Sequence, residues 1–321
     1  MNRSACLIFN PVAGQGDPEQ ELAMIRSLLE PEIDLDIYQT TADVGADALA
    51  QAAVERGVEA IIASGGDGTL SEAATAIIGT DIPLGIISRG TANAFAAALK
   101  IPDTIDAACQ TILQGGTRYV DAADCNGKPM VLLAGIGFEA ETVELADREA
   151  KKRFGIMAYI LAGVQQLRNL ESFEVEIETE DKIITTIASA VTVANAAPPS
   201  SVLAQGPAGI VYDDGLLDLT IVAPESKAGA IAATFHLLQT ASTNSAAERD
   251  DIGYLRGNQF KIKTDPPQKV VLDGEIIGTT PVTVHCIPGG LKIFVPLNQA
   301  LNPAEKLTGL PNLTVEIKDE D

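Results

Sequence analysis

Over the first third of the chain, short apolar runs alternate with amphipathic stretches. Residues 5–9 (Ala-Cys-Leu-Ile-Phe) form a continuous apolar run of the buried-strand type. Leu22, Ile25, Leu28 and Leu29 then fall on one helical face, with Glu19 and Glu21 near the start, where a helix dipole favours acids. Residues 33–38 alternate as a strand. Residues 46–56 form an alanine-rich helical stretch ending at Gly57, and residues 58–63 are apolar again. Residues 72–78 read as the next helix. This β-α-β-α-β order predicts a parallel sheet with helices on both faces, an architecture whose ligands gather at the carboxyl ends of the strands.

The pattern changes near Asp121. Runs at 173–179, 183–193, 216–222, 259–263, 269–272, 282–286 and 291–295 are short and rich in β-branched residues, with Gly, Pro and Asp turns between them. These predict antiparallel strands, interrupted by helical segments at about 153–170 and 227–239. The expected organisation is an α/β domain over 1–120 and a β-sandwich over 121–296. A C-terminal segment, 297–321, is expected to return to the first domain and to end in a solvated acidic tail. No internal repeat or low-complexity segment is visible.

Four loops follow the predicted parallel strands and point the same way: Asn10 to Gly14; Thr40 and Thr41 with Gly45; Gly65 to Ser71; and Ser88 to Phe95. The third, Ser64-Gly65-Gly66-Asp67-Gly68-Thr69-Leu70-Ser71, joins a buried strand to a helix start. Its three glycines remove the Cβ atoms that would hold a ligand off the backbone, and the helix N-terminus offers N–H groups to an anion. Glycine spacing alone fits two readings equally, a phosphate cradle or a tight turn with Asp67 as an N-cap. Each loop alone reads as a surface turn, whereas four on one edge, rich in Gly, Asn and Thr, point to a site.

Composition narrows the function classes. The chain has 321 residues, 46% of them hydrophobic, enough for two proper cores. A net charge of −22, no tryptophan and 4% aromatics argue against nucleic-acid binding and oppose strong adsorption to an anionic membrane. Cys6, Cys109, Cys125 and Cys286 are widely spaced, which fits neither a disulfide framework nor a zinc site and suits a reducing cytosol. No apolar run has the length of a transmembrane helix or a signal core. A cytoplasmic protein is expected.

Five motifs in this order carry a resemblance. Asn10-Pro11-x-x-Gly14, Gly65-Gly66-Asp67-Gly68-Thr69, Gly90-Thr91-Ala92-Asn93-x-Phe95-Ala96, Gly135-x-Gly137-Phe138-Glu139-Ala140 and Asp273-Gly274-Glu275 resemble the bacterial soluble diacylglycerol kinases, the YegS-like lipid kinases. The resemblance implies an ATP- and Mg²⁺-dependent kinase of a lipid hydroxyl. It implies ATP on Asn10, Pro11, Val12, Ala13, Gly14, Thr41, Gly65, Gly66, Asp67, Gly68, Thr69, Leu70, Ser71 and Thr91. It also implies a magnesium site on the second domain, with Asp214 as carboxylate and Val211 and Leu216 as carbonyl donors. Oxygen ligands from a turn suit that ion, and Asp213-Asp214-Gly215 reads equally well as an ordinary β-turn.

Phosphoryl transfer to an alcohol needs a proton acceptor beside the hydroxyl and compensation of the phosphate charge. The only histidines are His236 and His285, neither in a triad-like context, so the acceptor is expected to be acidic. The resemblance points to Glu275, with Asp273 a close second, although Asp-Gly between β-branched runs is also a strong hairpin signal. Asp67 is expected to contact magnesium or position a water. Two departures stand out: Ala94 replaces the Asp common in relatives, and Gln15 and Gln20 stand where basic residues often occur. Phosphate neutralisation then rests on Mg²⁺, backbone amides and Arg89.

The basic cluster Lys151-Lys152-Arg153 could hold the protein transiently at a lipid surface, but it reads more readily as a solvated helix start. Exposed sheet edges leave a homodimer open. Two other functions are compatible with the sequence, an NAD kinase-like enzyme acting on a soluble substrate and a catalytically inactive nucleotide-binding protein. The acceptor lipid is not encoded in any motif.

Overall fold

A computed structural model describes residues 3–137, 172–207, 209–243, 245–296, 309 and 312–317. The chain divides into two compact units, Met1–Ala122 with Pro288–Gln299, and Ala123–Ile287 with Ala300–Asp321. Phe138 to Ala140, the Lys151-Lys152-Arg153 cluster, the helix expected at 153–170 and the acidic tail beyond Ile317 lie outside the described residues.

In the first unit, strands β1 (Arg3–Phe9), β2 (Ile33–Gln39), β3 (Ile61–Gly65) and β4 (Leu84–Ser88) are all parallel, in the order 2-1-3-4. The last residues of a late strand, Val282–Phe294, extend this sheet beside β4 through Ile293 and Leu84. Helices α1 (Pro18–Leu29) and α5 (Ile105–Gln114) cover one face. Their Ile25, Leu29, Ala108, Cys109 and Ile112 close over Leu7, Phe9, Ile62 and Ile87 in one fully apolar core. Helices α2 (Ala46–Arg56) and α3 (Asp67–Thr75) bury Leu70 together with Ala46, Ala50, Ala53, Ala73 and Ala74, five small residues that let helices approach closely. A short helix, α4 (Ala94–Ala98), follows β4. The expected parallel α/β sheet is therefore present, and its four connecting loops leave from the same edge.

The second unit is a sandwich of antiparallel strands. One sheet has the order Ile252–Gly257, Leu217–Val222, Ala190–Ala194, Leu133–Gly137, Lys269–Leu272, Glu275–Thr279. The other joins Thr314–Ile317, Lys182–Ala188, Phe173–Glu178, Gln259–Asp265 and the first residues of Val282–Phe294. The inward residues of both sheets share one core, with Ile136, Val191, Val193, Leu219 and Val270 from one and Val175, Ile177, Ile184, Phe260 and Val284 from the other.

Three expectations change. The run at 183–193 is two strands, because the chain passes from one sheet to the other at Ser189, whose N–H bonds the Val222 carbonyl at 2.8 Å. The runs at 282–286 and 291–295 are one strand, in which Gly289 takes φ 60 and donates its N–H to Asp121 at 2.7 Å. The described part of the C-terminal segment, expected to return to the first domain, lies instead in the second unit. Its described strand, Thr314–Ile317, completes the second-unit sheet against Lys182–Thr185, while residues from Pro288 onward supply the return.

Candidate active site

The first loop is tied to the third by the polar groups of Asn10. Asn10 donates its backbone N–H to Ser64 at 2.9 Å and its side-chain Nδ2 to Thr69 Oγ1 at 2.8 Å, while its Oδ1 accepts the Val12 N–H. Gly66 and Gly90 bring the third and fourth loops into backbone contact. A Cβ on Gly90 would lie 2.7 Å from the Gly66 Cα, so no side chain fits there. Glu72 of α3 caps the start of α2 by accepting the Ala46 N–H at 2.9 Å. The second loop closes on itself, with Thr41 Oγ1 accepting the N–H groups of Asp43 and Val44.

Helix α3 begins at Asp67, and Gly66 is its N-cap with no side chain to cap the first turn. Asp67 is thus not the N-cap that one of the two readings made it; its carboxylate engages its own N–H, and Gly68 beside it faces open space. The other N–H groups of this first turn and the positive end of the helix dipole are left for an anion. Asp67 also reaches sideways to the start of α4, accepting the Phe95 N–H at 3.3 Å together with neighbouring amides of Asn93 and Ala94. Backbone groups thus tie Asp67 to the chain around Ala94 without a polar side chain there. Burial raises the Asp67 carboxyl above its ordinary value, and those amides partly offset the shift. Around this edge the Ser64 and Ser88 hydroxyls and Asn93 Oδ1 are buried without a protein partner, a concentration of unmet polar atoms typical of functional sites. Pro11, Val12 and Thr91 lie on the rim, Val12 being largely exposed.

Arg89 is not directed to solvent or to that helix end. Its side chain is 1% exposed and pairs with Glu21. The charge expected to neutralise phosphate is already neutralised within the protein.

In the second unit, Asp273 and Gly274 adopt φ 48 and 92 and turn the chain between Lys269–Leu272 and Glu275–Thr279, a two-residue hairpin of the primed type. The Asp273 carboxylate accepts the N–H groups of Val131 at 2.8 Å and of Leu132 and Leu133 at 2.9 Å, and its own N–H returns to the Leu133 carbonyl. Both of its oxygens are committed to the backbone. Glu275 is exposed, and among the described residues no hydrogen bond engages its side chain. Of the two acids weighed from sequence, Glu275 is the one with a carboxylate to spare. The sequence reading missed Asp273's three-amide clamp, which joins positions 140 or more residues apart.

The turn around Val211, Asp214 and Leu216 brings its residues together, but not as a metal cage. Asp214 Oδ1 accepts the Leu216 N–H at 3.2 Å, and its Oδ2 pairs with the Arg256 guanidinium. Arg256 also binds Asp218 Oδ1 at 3.1 Å. Burial pushes the Asp218 carboxyl up to about 7, against the pull of Arg256 and with a further push from Asp214. Arg256 stays charged between two acids, and Asp218 is the partner that yields. A resident magnesium does not fit this turn as it stands: both Asp214 oxygens are engaged, and a guanidinium already supplies the compensating charge.

Residues 4–125 match the diacylglycerol kinase catalytic domain, and residues 133–295 match the YegS C-terminal NAD kinase β-sandwich-like domain. The chain belongs to the diacylglycerol kinase and YegS-like lipid kinase family. An uncharacterized protein of Synechocystis is 50% identical over 305 residues, covering 92% of this chain and 70% of its own. A Bacillus subtilis diacylglycerol kinase is 30% identical over 285 residues, covering 87% of this chain and 92% of its own. Among solved structures, one described as a putative diacylglycerol kinase from Bacillus anthracis superposes with TM-score 0.79 at 27% identity, covering 92% of this chain and 97% of that one. The family, the α/β plus β-sandwich fold and the kinase class are thereby established, in agreement with the resemblance read from the five motifs. Among the described residues no helix is long and apolar enough to cross a membrane.

Proposed function

We propose that this lipid kinase transfers the γ-phosphoryl group of ATP, taken up as its magnesium complex, to a hydroxyl of diacylglycerol or a related lipid. The observation that carries the reading is the N-terminus of α3, where Gly66 caps without a side chain and Gly90 lets the fourth loop close against it. Phosphates bind there through backbone N–H groups, with Asn10 and Thr69 holding the neighbouring loop. Asp67, whose position is fixed by the amides of α4, would hold the magnesium of that complex, whose charge would offset that of the phosphates.

In the transfer step the lipid oxygen bonds to the γ-phosphorus, the bond to the β–γ bridging oxygen breaks, and ADP leaves. The hydroxyl proton passes to Glu275. Asp273 does not take that proton. It sets the hairpin from which Glu275 extends by clamping Val131 to Leu133. The chain meets its lipid by transient contact with a membrane surface.

Labelled ATP, Mg²⁺ and mixed micelles of candidate lipids, with Glu275→Ala in parallel, test the reading. Label on a lipid that is absent with the variant supports it. Label on NAD alone would assign the chain to a soluble acceptor.

A further inference from the structure

No basic residue follows the first loop at Gln15, yet a buried cation lies behind that loop. Arg89 Nη1 donates to the Asn10 carbonyl at 2.9 Å and Nη2 to the Ala13 carbonyl at 3.1 Å. Nε donates to Glu21 Oε2 at 2.7 Å, and the guanidinium carbon sits 4.1 Å from the centre of the Phe9 ring. The Arg89 N–H bonds the Gly65 carbonyl at 2.7 Å, and its own carbonyl lies where a Cβ on Gly14 would be 3.0 Å away. One residue therefore touches the end of β1, both ends of the first loop, helix α1 and the end of β3.

From this arrangement we infer that Arg89 is a positioning residue for the nucleotide: it shapes the Asn10 to Gly14 loop from behind and does not neutralise phosphate. A guanidinium presents its donors in a fixed planar fork on three nitrogens, so it holds two carbonyls and a carboxylate at separate points of one plane, a geometry the single tetrahedral nitrogen of an ammonium does not reproduce. Turning the Asn10 and Ala13 carbonyls inward removes two negative dipole ends from the side where phosphates bind. Glu21 then cancels the net charge and locks the fork through Nε. The loop is set by geometry, with Glu21 and Arg89 acting as a unit. This rests on the reading of the first unit as the ATP site.

The test is ATP affinity, measured by calorimetry on the full chain without lipid, for the wild type, Arg89→Lys, Arg89→Met and Glu21→Gln, with the melting temperature of each. A phosphate-neutralising cation would be replaced well by lysine. A positioning fork would not. The expected result is that Arg89→Lys and Arg89→Met weaken ATP binding alike, by about tenfold or more. Glu21→Gln, a mild change on a partly exposed side chain, weakens it a few-fold even where the melting temperature is unchanged. Near-wild-type affinity for Arg89→Lys, or tighter binding for Glu21→Gln, would overturn the inference while leaving the kinase reading intact. Tight ATP binding with no transfer to lipid would overturn the lipid-kinase reading and leave the inference standing. No ATP binding by the wild type would overturn both.

Discussion

The side-chain amide of Asn10 donates to the Thr69 hydroxyl at 2.8 Å, joining the loop after β1 to the first turn of α3 across 59 residues of sequence. It is a partly buried, neutral hydrogen bond, of the kind that contributes about 1 kcal/mol net. Its larger effect is to fix the two loops to each other. Asn10→Ala and Thr69→Val should each weaken ATP binding. The double variant should lose less than the sum, with a coupling of about 0.5 to 1.5 kcal/mol by calorimetry. Full additivity would mean that the two loops act separately.

Asp273 and Glu275, two residues apart, should fail in opposite ways. Asp273→Ala leaves three amide N–H groups without their acceptor and should lower stability by about 3 kcal/mol, seen as a fall in denaturation midpoint. Glu275→Gln, on an exposed residue, should shift stability by no more than about 0.5 kcal/mol and reduce turnover by about 10² to 10⁴. A stable, inactive Asp273→Asn beside a fully active Glu275→Gln would exchange the two roles.

Stability should depend on pH through Asp218. Its folded pKa is raised to about 7, so its contribution is fully present below the ordinary carboxyl value near 4 and is lost as pH rises toward 7. Asp218→Asn, which carries no charge to bury, should therefore gain on the wild type between pH 4 and 7, by up to a few kcal/mol at pH 8. Parallel stability curves for the two proteins across that range would contradict the assignment.

Chelation should leave the second unit unaffected. Arg256 bridges Asp214 and Asp218 and supplies the positive charge that a cation would bring. EDTA should not change the melting temperature of the protein free of nucleotide, whereas Arg256→Met should lower it by several degrees, because two acids are left facing each other. A clear loss of stability on chelation would restore a resident ion to this turn.

Much of this architecture was legible in sequence, for identifiable reasons. The parallel sheet declared itself through apolar runs and helical periodicity, since buried strands and amphipathic helices have different spacings. The hairpin at Asp273 declared itself through Asp-Gly. What escaped the sequence were pairings between distant positions. Nothing near Arg89 signals that Glu21 will take its charge, and nothing near Asp67 signals that the amides of α4 will hold its carboxylate. The C-terminal strand was misplaced for a similar reason, since its partner, Lys182–Ala188, is set by the sheet and not by local pattern. Fold follows periodicity, whereas the wiring of the site follows tertiary contacts that only the assembled chain defines.

The most direct test of the account is transfer of label from ATP to lipid in mixed micelles, run with the wild type and Glu275→Gln side by side with Mg²⁺ present. The account predicts label on a hydroxyl-bearing lipid with the wild type and a loss of about a hundredfold or more with the variant. Equal labelling by both proteins, or none on any lipid by a wild type that binds ATP, would contradict it.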